Sequence, residues 1–416
     1  MSNYDSQDSS TRLSTIYPPM NAPATSPNHP RRGPGRLASI IAVAAALLVV
    51  AFAGFIFSQR SGFVSQKTPS GVAGKPSATA TVTHLPPAPL HLPAGANLLG
   101  VSMVSPTDGW AVGIPAGRTG LIFARYHNGQ WSLWQGKPSL TIMTLLSAEG
   151  LSMDSPTDGW QAGVSGMLHY TNNQWVAVSI PGVGAISKVQ MVSPTDGWAR
   201  GFIQTPDKQN GVYGMLHYSN GAWTIVGLPP SLQGVHDDTR LDFSVTASDE
   251  CWLMYKDPNN GSTEILRSTG GSFQVAYTIP QVQGQRIAMI SPQDGWLAGT
   301  DASGSGNVLY HFDGSAWTKV AIPARFTQHN LVLRPVVAGA SGDIWLLGIN
   351  ADALQVPVAA RYRNGAWQTI QVPSNTGIVG GTITLVSDDE GWAIGLGGDR
   401  SALYHYQNGV WTKYPN

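Results

Sequence analysis

Few residues in this chain of 416 are of types that do chemistry, and most of those recur. An acid returns in the turn Ser-Pro-Thr-Asp-Gly-Trp at Asp108, Asp158 and Asp196, with weaker copies at Asp249 and Asp294. Carboxylates could act as general acid and base, or hold calcium. One acid per repeat cannot assemble a ligand set, so the expected role is a cap of its own turn. A basic column reads Arg125, His169, His217, Arg267, His311, Arg361 and His405. Imidazoles bind zinc, but these are dispersed one to a unit, and a hydrogen bond to neighbouring backbone or acid is the expected use. Residues 88–416 hold four glutamates. Glu250 and Glu390 fall within the repeated turn. Glu149 and Glu264 remain as candidates for a catalytic carboxylate pair. The chain carries no Gly-x-Ser-x-Gly elbow, His-Glu-x-x-His pair or phosphate loop. The single cysteine, Cys251, rules out an intrachain disulfide and a thiolate metal cluster. No cofactor and no metal site is expected.

The elements that position these residues follow from two aromatic columns. A marker tryptophan stands at Trp110, Trp160, Trp198, Trp252, Trp296, Trp345 and Trp392. A second aromatic follows each, at Trp131, Trp175, Trp223, Phe273, Trp317, Trp367 and Trp411. The repeat is about 47 residues long, the size of a four-stranded propeller blade. Each unit reads as a strand, a Ser-x-x-Asp-Gly turn, a Gly-Trp-x-x-Gly strand, a variable loop, a third strand, a tight turn that is Asn-Gly in most units, and a fourth strand opening on the second aromatic. The expected fold is all-β: a seven-bladed β-propeller of four-stranded blades over 88–416. The marker tryptophans are expected to fill the seams between blades. Leu90 to Pro93 matches the end of a fourth strand and is expected to join the last blade and close the ring.

Residues 1–36 are rich in Ser, Pro, Asn and Thr and read as disordered. Residues 37–58 lack any charge, and 59–87 form a Pro/Ser/Thr/Gly-rich linker. The apolar stretch is long enough to span a bilayer as a single transmembrane helix. A cleaved signal peptide, with Ala51-Phe52-Ala53 at the cleavage site, is the alternative. Arg31, Arg32 and Arg36 before the span favour a cytoplasmic N-terminus and an extracytoplasmic propeller. A formal net charge of zero gives no reason to expect nucleic acid. A monomeric propeller is expected, with a protein or glycan ligand.

The repeated strand–turn–Gly-Trp-x-x-Gly unit with its Asn-Gly-x-Trp hairpin resembles bacterial membrane-anchored β-propellers of the Asp-box and kelch-like kind. It is similar to photosystem II assembly-factor propellers in the Gly-Trp-x-x-Gly strand and the turn-then-Trp hairpin. The resemblance covers 88–416 and departs from a standard Asp-box, having Asn-Gly where Asp-Gly-Gly is usual. It implies a fold shared by sialidases, lectins, scaffolds and sensors, and so leaves two functions: a surface binding, sensor or interaction scaffold, and a sialidase-like glycoside hydrolase acting on surface glycans. Where the repeat is regular, function has no place to vary, so ligand contacts are expected in the blade links. The most polar links carry His236, Asp238 and Arg240, and His329. These four form the candidate ligand-binding face.

Overall fold

A computed structural model describes residues 87–415 apart from 118–119, 139–147, 165, 205–210, 233, 248–249, 270, 305, 329, 339–342, 375, 380–381 and 398–399. The expectations for the leader, the apolar span and the linker therefore lie outside the described residues, save for Pro87. Among the described residues no helix is long and apolar enough to cross a membrane.

Among the described residues twenty-eight strands form seven four-stranded antiparallel sheets. Blade 1 covers 97–133, blade 2 151–178, blade 3 183–226, blade 4 241–279, blade 5 282–320, blade 6 331–370 and blade 7 384–413. Strands follow one another in each sheet in chain order, as the hairpin signals require. In the tight turn between third and fourth strands, Asn128, Asn220, Asn364 and Asn408 have φ near 50°, and the glycine after each is also positive. Both central residues being left-handed is the type I′ turn that suits right-twisted strands.

The turn between first and second strands corrects one expectation. Its cap is the serine. Ser105 Oγ accepts from the N–H groups of Thr107 at 3.1 Å and Asp108 at 3.0 Å. Ser155, Ser193 and Ser291 accept likewise from Thr157, Thr195 and Gln293. Serine, at the first turn position, reaches back to the N–H groups of the turn. Asp108, Asp158 and Asp196 instead begin the second strand and face the third.

Among the described residues apolar side chains gather in seven clusters, one at each seam between neighbouring blades. The seam between blades 7 and 1 joins Trp392 and Leu403 to Val101 and Trp131, so the ring is closed. Leu90, only 3% exposed, belongs to that seam, and its N–H donates to Pro415 O at 2.9 Å. Tyr414 Oη accepts from the Trp131 N–H and donates to Ala88 O. The N-terminal segment thus docks on the end of the last blade, as expected, but adds no strand: blade 7 draws all four from the C-terminal end.

Alternating hairpins put the repeated turns on one face of the disc. The loops between second and third strands and the links between blades lie on the opposite face, called here the loop face. The first strand of each blade is innermost and lines the axis.

Candidate functional site

The repeated residues account for one another. Each marker tryptophan is at most 2% exposed and packs against the following blade. Trp110 meets Tyr170 with centroids 4.5 Å apart, Trp160 meets Tyr218 at 5.0 Å, and Trp392 meets Tyr126 across the closing seam at 4.8 Å. The second aromatic completes the contact from the same side, as Trp223 does on Trp160 at 5.4 Å and Phe273 on Trp198 at 5.5 Å. On its other face the tryptophan carries the basic column of its own blade. His169, His217 and His405 stack on Trp160, Trp198 and Trp392 at 4.1–4.3 Å, and Arg125 and Arg267 lie over Trp110 and Trp252. Strand register fixes this, since each basic residue stands directly opposite its tryptophan.

The turn acid holds the outer end of that stack. His169 donates to Asp158 at 3.1 Å, His217 to Asp196 at 3.2 Å, His311 to Asp294 at 3.0 Å and His405 to Glu390 at 3.1 Å. Arg267 pairs with Glu250, which fills in blade 4 the position expected for Asp249, a residue outside the described set. In blade 1 the partner of Asp108 is His127 at 2.7 Å. In blade 6 the pairing crosses the seam, Arg361 reaching Asp389 of blade 7 at 3.1 Å. The acids and bases of the repeat are thus structural partners.

Blade 2 departs from this pattern. Where blades 1, 3, 5 and 7 place Val104, Val192, Ile290 and Val386 just before the turn, it has Asp154. Burial first, then the charge of Asp158 and a hydrogen bond to it, push the Asp154 carboxyl up to about 7; Ser155 and His169 pull the other way.

The axis holds a second polar system, which sequence reasoning did not find. Opposite the marker tryptophans, inner-strand side chains stitch blades 1 to 5 together. Ser102 Oγ accepts from the Met153 N–H, Ser152 Oγ from the Met191 N–H, and Ser244 Oγ from the Met289 N–H, at 2.9–3.0 Å. Gln190 takes the Val245 N–H. Two residues nearer the loop face stand Lys188, Asp242, Arg286 and Arg334 on blades 3 to 6, with Glu149 entering from blade 2. Asp242 accepts from Lys188 Nζ at 2.8 Å and from the Ile287 N–H at 3.0 Å. Burial works against its charge, but Lys188, Arg286 and Arg200 outweigh it and hold the carboxyl below its usual range. Burial pushes Glu149 up and Arg334 down. A charged residue in the inner strand of each of blades 3 to 6, ten residues before the marker tryptophan in Lys188, Asp242 and Arg286, was the available signal.

The two glutamates left free by the repeat do not form a site together. Glu149 is 1% exposed within the axial cluster, whereas Glu264 lies on the third strand of blade 4, two strands outward from the axis. Of the four residues expected to bind ligand, three share the link from blade 3 to blade 4. The His236 ring donates to Gly211 O at 2.9 Å. Asp238 and Arg240 form a short 3-10 turn, and Arg240 pairs with Asp237 at 3.5 Å. His329 falls outside the described residues. Its link, from blade 5 to blade 6, is on the same face two seams around the ring. That face also bears a cavity of about 210 Å³ between the blade 6 loop and the link to blade 7, lined by Asn350, Gln355, Val356, Val372 and Ile378 among others. Among the described residues no group of three or more His, Cys, Asp or Glu side chains is placed to hold a metal ion.

Fold and seams together define a seven-bladed β-propeller. No family model and no curated protein matches the chain. Solved structures match in fold. YCF48 bound to a D1 peptide is similar with a TM-score of 0.49 and 14% identity, over 80% of this chain and 97% of that one. The β-propeller domain of the Trilobed protease from Pyrococcus furiosus is similar with a TM-score of 0.50 and 9% identity, over 77% and 98%. The GH74 xyloglucanase from Xanthomonas campestris scores 0.51 at 12% identity over 77% of this chain and 53% of its own, so this chain spans about half that enzyme's length. At these identities the likeness is one of fold.

Proposed function

We propose that this chain is a membrane-anchored, extracytoplasmic propeller that acts as a scaffold, binding a protein or glycan ligand on its loop face. One observation carries the reading: the recurring ionisable groups are used up in pairs within the blades, beside the marker tryptophans, while polar residues that differ from link to link lie on the opposite face. A rigid disc with one uniform face and one variable face suits recognition, because insertions there leave the seams untouched. His236, Asp238, Arg240 and His329 are the proposed contacts, and the apolar stretch 37–58 is the proposed anchor.

The test is a glycan, cell-wall and membrane-protein binding screen with the full chain, beside the variant in which His236, Asp238, Arg240 and His329 are all alanine. Binding is expected to fall at least tenfold with an unchanged melting temperature. Unaltered binding refutes the site, and turnover of a glycan substrate would favour the hydrolase reading instead.

A further inference from the structure

Six Asn-Gly pairs punctuate the chain, and five lie among the described residues, at Asn128, Asn220, Asn260, Asn364 and Asn408. Glycine is the least hindered residue that can follow asparagine, so its backbone nitrogen can reach the side-chain carbonyl carbon before it. Closing that ring requires the peptide between the two residues to rotate. In four of the five pairs the hairpin opposes the rotation. Asn128, Asn220, Asn364 and Asn408 have φ near 50° in two-residue turns whose flanks pair directly, His127 with Gln130, Ser219 with Ala222, Arg363 with Ala366 and Gln407 with Val410. The Asn128 and Asn408 N–H groups are held further, by Thr107 O and Asp389 O at 2.9 Å.

Asn260 is placed otherwise. It is exposed, in the loop 257–262 between the second and third strands of blade 4, and does not adopt the left-handed conformation. Its Oδ1 accepts from the Ser262 N–H at 2.8 Å and from the Ser262 hydroxyl at 2.5 Å. Ser262 is 5% exposed, and its carbonyl accepts from the Asp257 N–H at 3.0 Å, so both donors are fixed in place. Attack on the amide carbon puts negative charge on Oδ1. Donors already aimed at an atom that becomes an oxyanion lower the barrier to its formation.

We propose that Asn260 is a self-modifying site, where Gly261 closes on the side chain and converts it to aspartate and isoaspartate. The Gly261 nitrogen gives its proton to water and bonds to the Asn260 amide carbon. The bond from that carbon to Nδ2 breaks, and ammonia leaves with a proton taken from water. Water then adds to either carbonyl of the resulting succinimide and opens the ring. The balance is one water consumed and one ammonia released, with no other reactant.

The product carries a negative charge that the amide lacks. Burial, then the charge of Asp257, raises the Tyr255 hydroxyl, and Arg240 opposes them, so this loop and the link bearing Arg240 meet at Tyr255. Conversion therefore alters the charge of the face assigned to ligand. That consequence rests on the proposed function; the modification itself does not.

The experiment holds the full chain in mildly alkaline buffer and follows each Asn-Gly peptide over days by mass and by isoaspartate content, with no ligand present. Asn260 is expected to convert at least tenfold faster than Asn128, Asn220, Asn364 and Asn408. In urea the five rates are expected to converge, because the fold and not the dipeptide selects the site. Ser262→Ala removes one donor and keeps the N–H, and is expected to slow Asn260 about fivefold. The comparison within the native chain keeps the test decisive if Ser262→Ala does not fold. Similar rates at all five pairs in the folded chain, a spread that persists in urea, or a rate that Ser262→Ala leaves unchanged overturns the proposal.

Discussion

Replacing Asp154 by valine, the residue type of blades 1, 3 and 7 at this position, should stabilise the protein, by an amount that depends on pH. The native carboxyl is pushed from an ordinary 3.8 up to about 7. Below pH 4 the group is protonated both folded and unfolded. Between pH 4 and pH 7 the unfolded chain releases the proton while the folded chain keeps it, so raising the pH favours unfolding across that window, and above it the penalty is constant. A tenfold change in proton affinity corresponds to about 1.4 kcal/mol, which sets a ceiling of about 4 kcal/mol. Asp154 is only partly buried, and screening by water reduces the expected penalty to about 2 kcal/mol. Filling the site with an apolar side chain adds about 1 kcal/mol that is independent of pH. Urea unfolding of native chain and Asp154→Val at pH 4, 5.5, 7 and 8 should therefore give curves that diverge from about 1 to about 3 kcal/mol and then run parallel. Curves parallel throughout would refute the assignment of a raised Asp154, and a less stable variant at pH 7 would show that the carboxylate holds the seam.

Trp296→Ala opens the seam between blades 5 and 6, where Trp296 is 2% exposed and meets Tyr362 and Trp367; a loss of about 3–5 kcal/mol in denaturant unfolding is expected. Ser244→Ala deprives the buried Met289 N–H of its acceptor and should cost about 1–3 kcal/mol, with faster amide exchange at Met289 as the local readout. Leu90→Ala should cost about 2–4 kcal/mol, and a chain cut after Pro93 should lose more, because the cap on Trp131 and Tyr414 goes with it. Amide exchange at residue 90, whose N–H donates to Pro415 O, checks the closing contact directly.

The seams were legible in the sequence because their filler repeats. Trp110 and its six counterparts recur with the second aromatic column, and a ring of like units needs like filler at every joint. Turn chemistry was legible only by composition: Ser105 and Asp108 both cap turns in general, and which one aims at the backbone depends on where the third strand brings its partner. The axis was illegible for the opposite reason. Lys188, Asp242, Arg286 and Arg334 occupy one structural column with different residue types, and a fourth spacing of eleven rather than ten arises from the longer blade 6 turn. Glu149 stood out in the sequence as a free acid, yet its burial makes it a member of that column's network.

The seven joints are not held by the same forces. From blade 1 to blade 5 the inner strands are tied by buried, uncharged side-chain bonds from Ser102, Ser152, Gln190 and Ser244. Blades 5 and 6 put Ala288 and Val336 in that position, side chains with nothing to donate or accept. Between blades 6 and 7 side-chain ties are ionic, Arg361 to Asp389 and Arg363 to Asp388, with Asp389 more than half exposed, beside a backbone bond from the Val356 N–H to Ile378 O. Exposed ion pairs weaken as salt rises, whereas buried neutral bonds do not. The salt-sensitive part of the ring is therefore the joint between blades 6 and 7, and a ring that parted there would stay one continuous arc, with blade 7 still held to blade 1 through Tyr414 and Trp131 and blade 6 to blade 5 through Trp296.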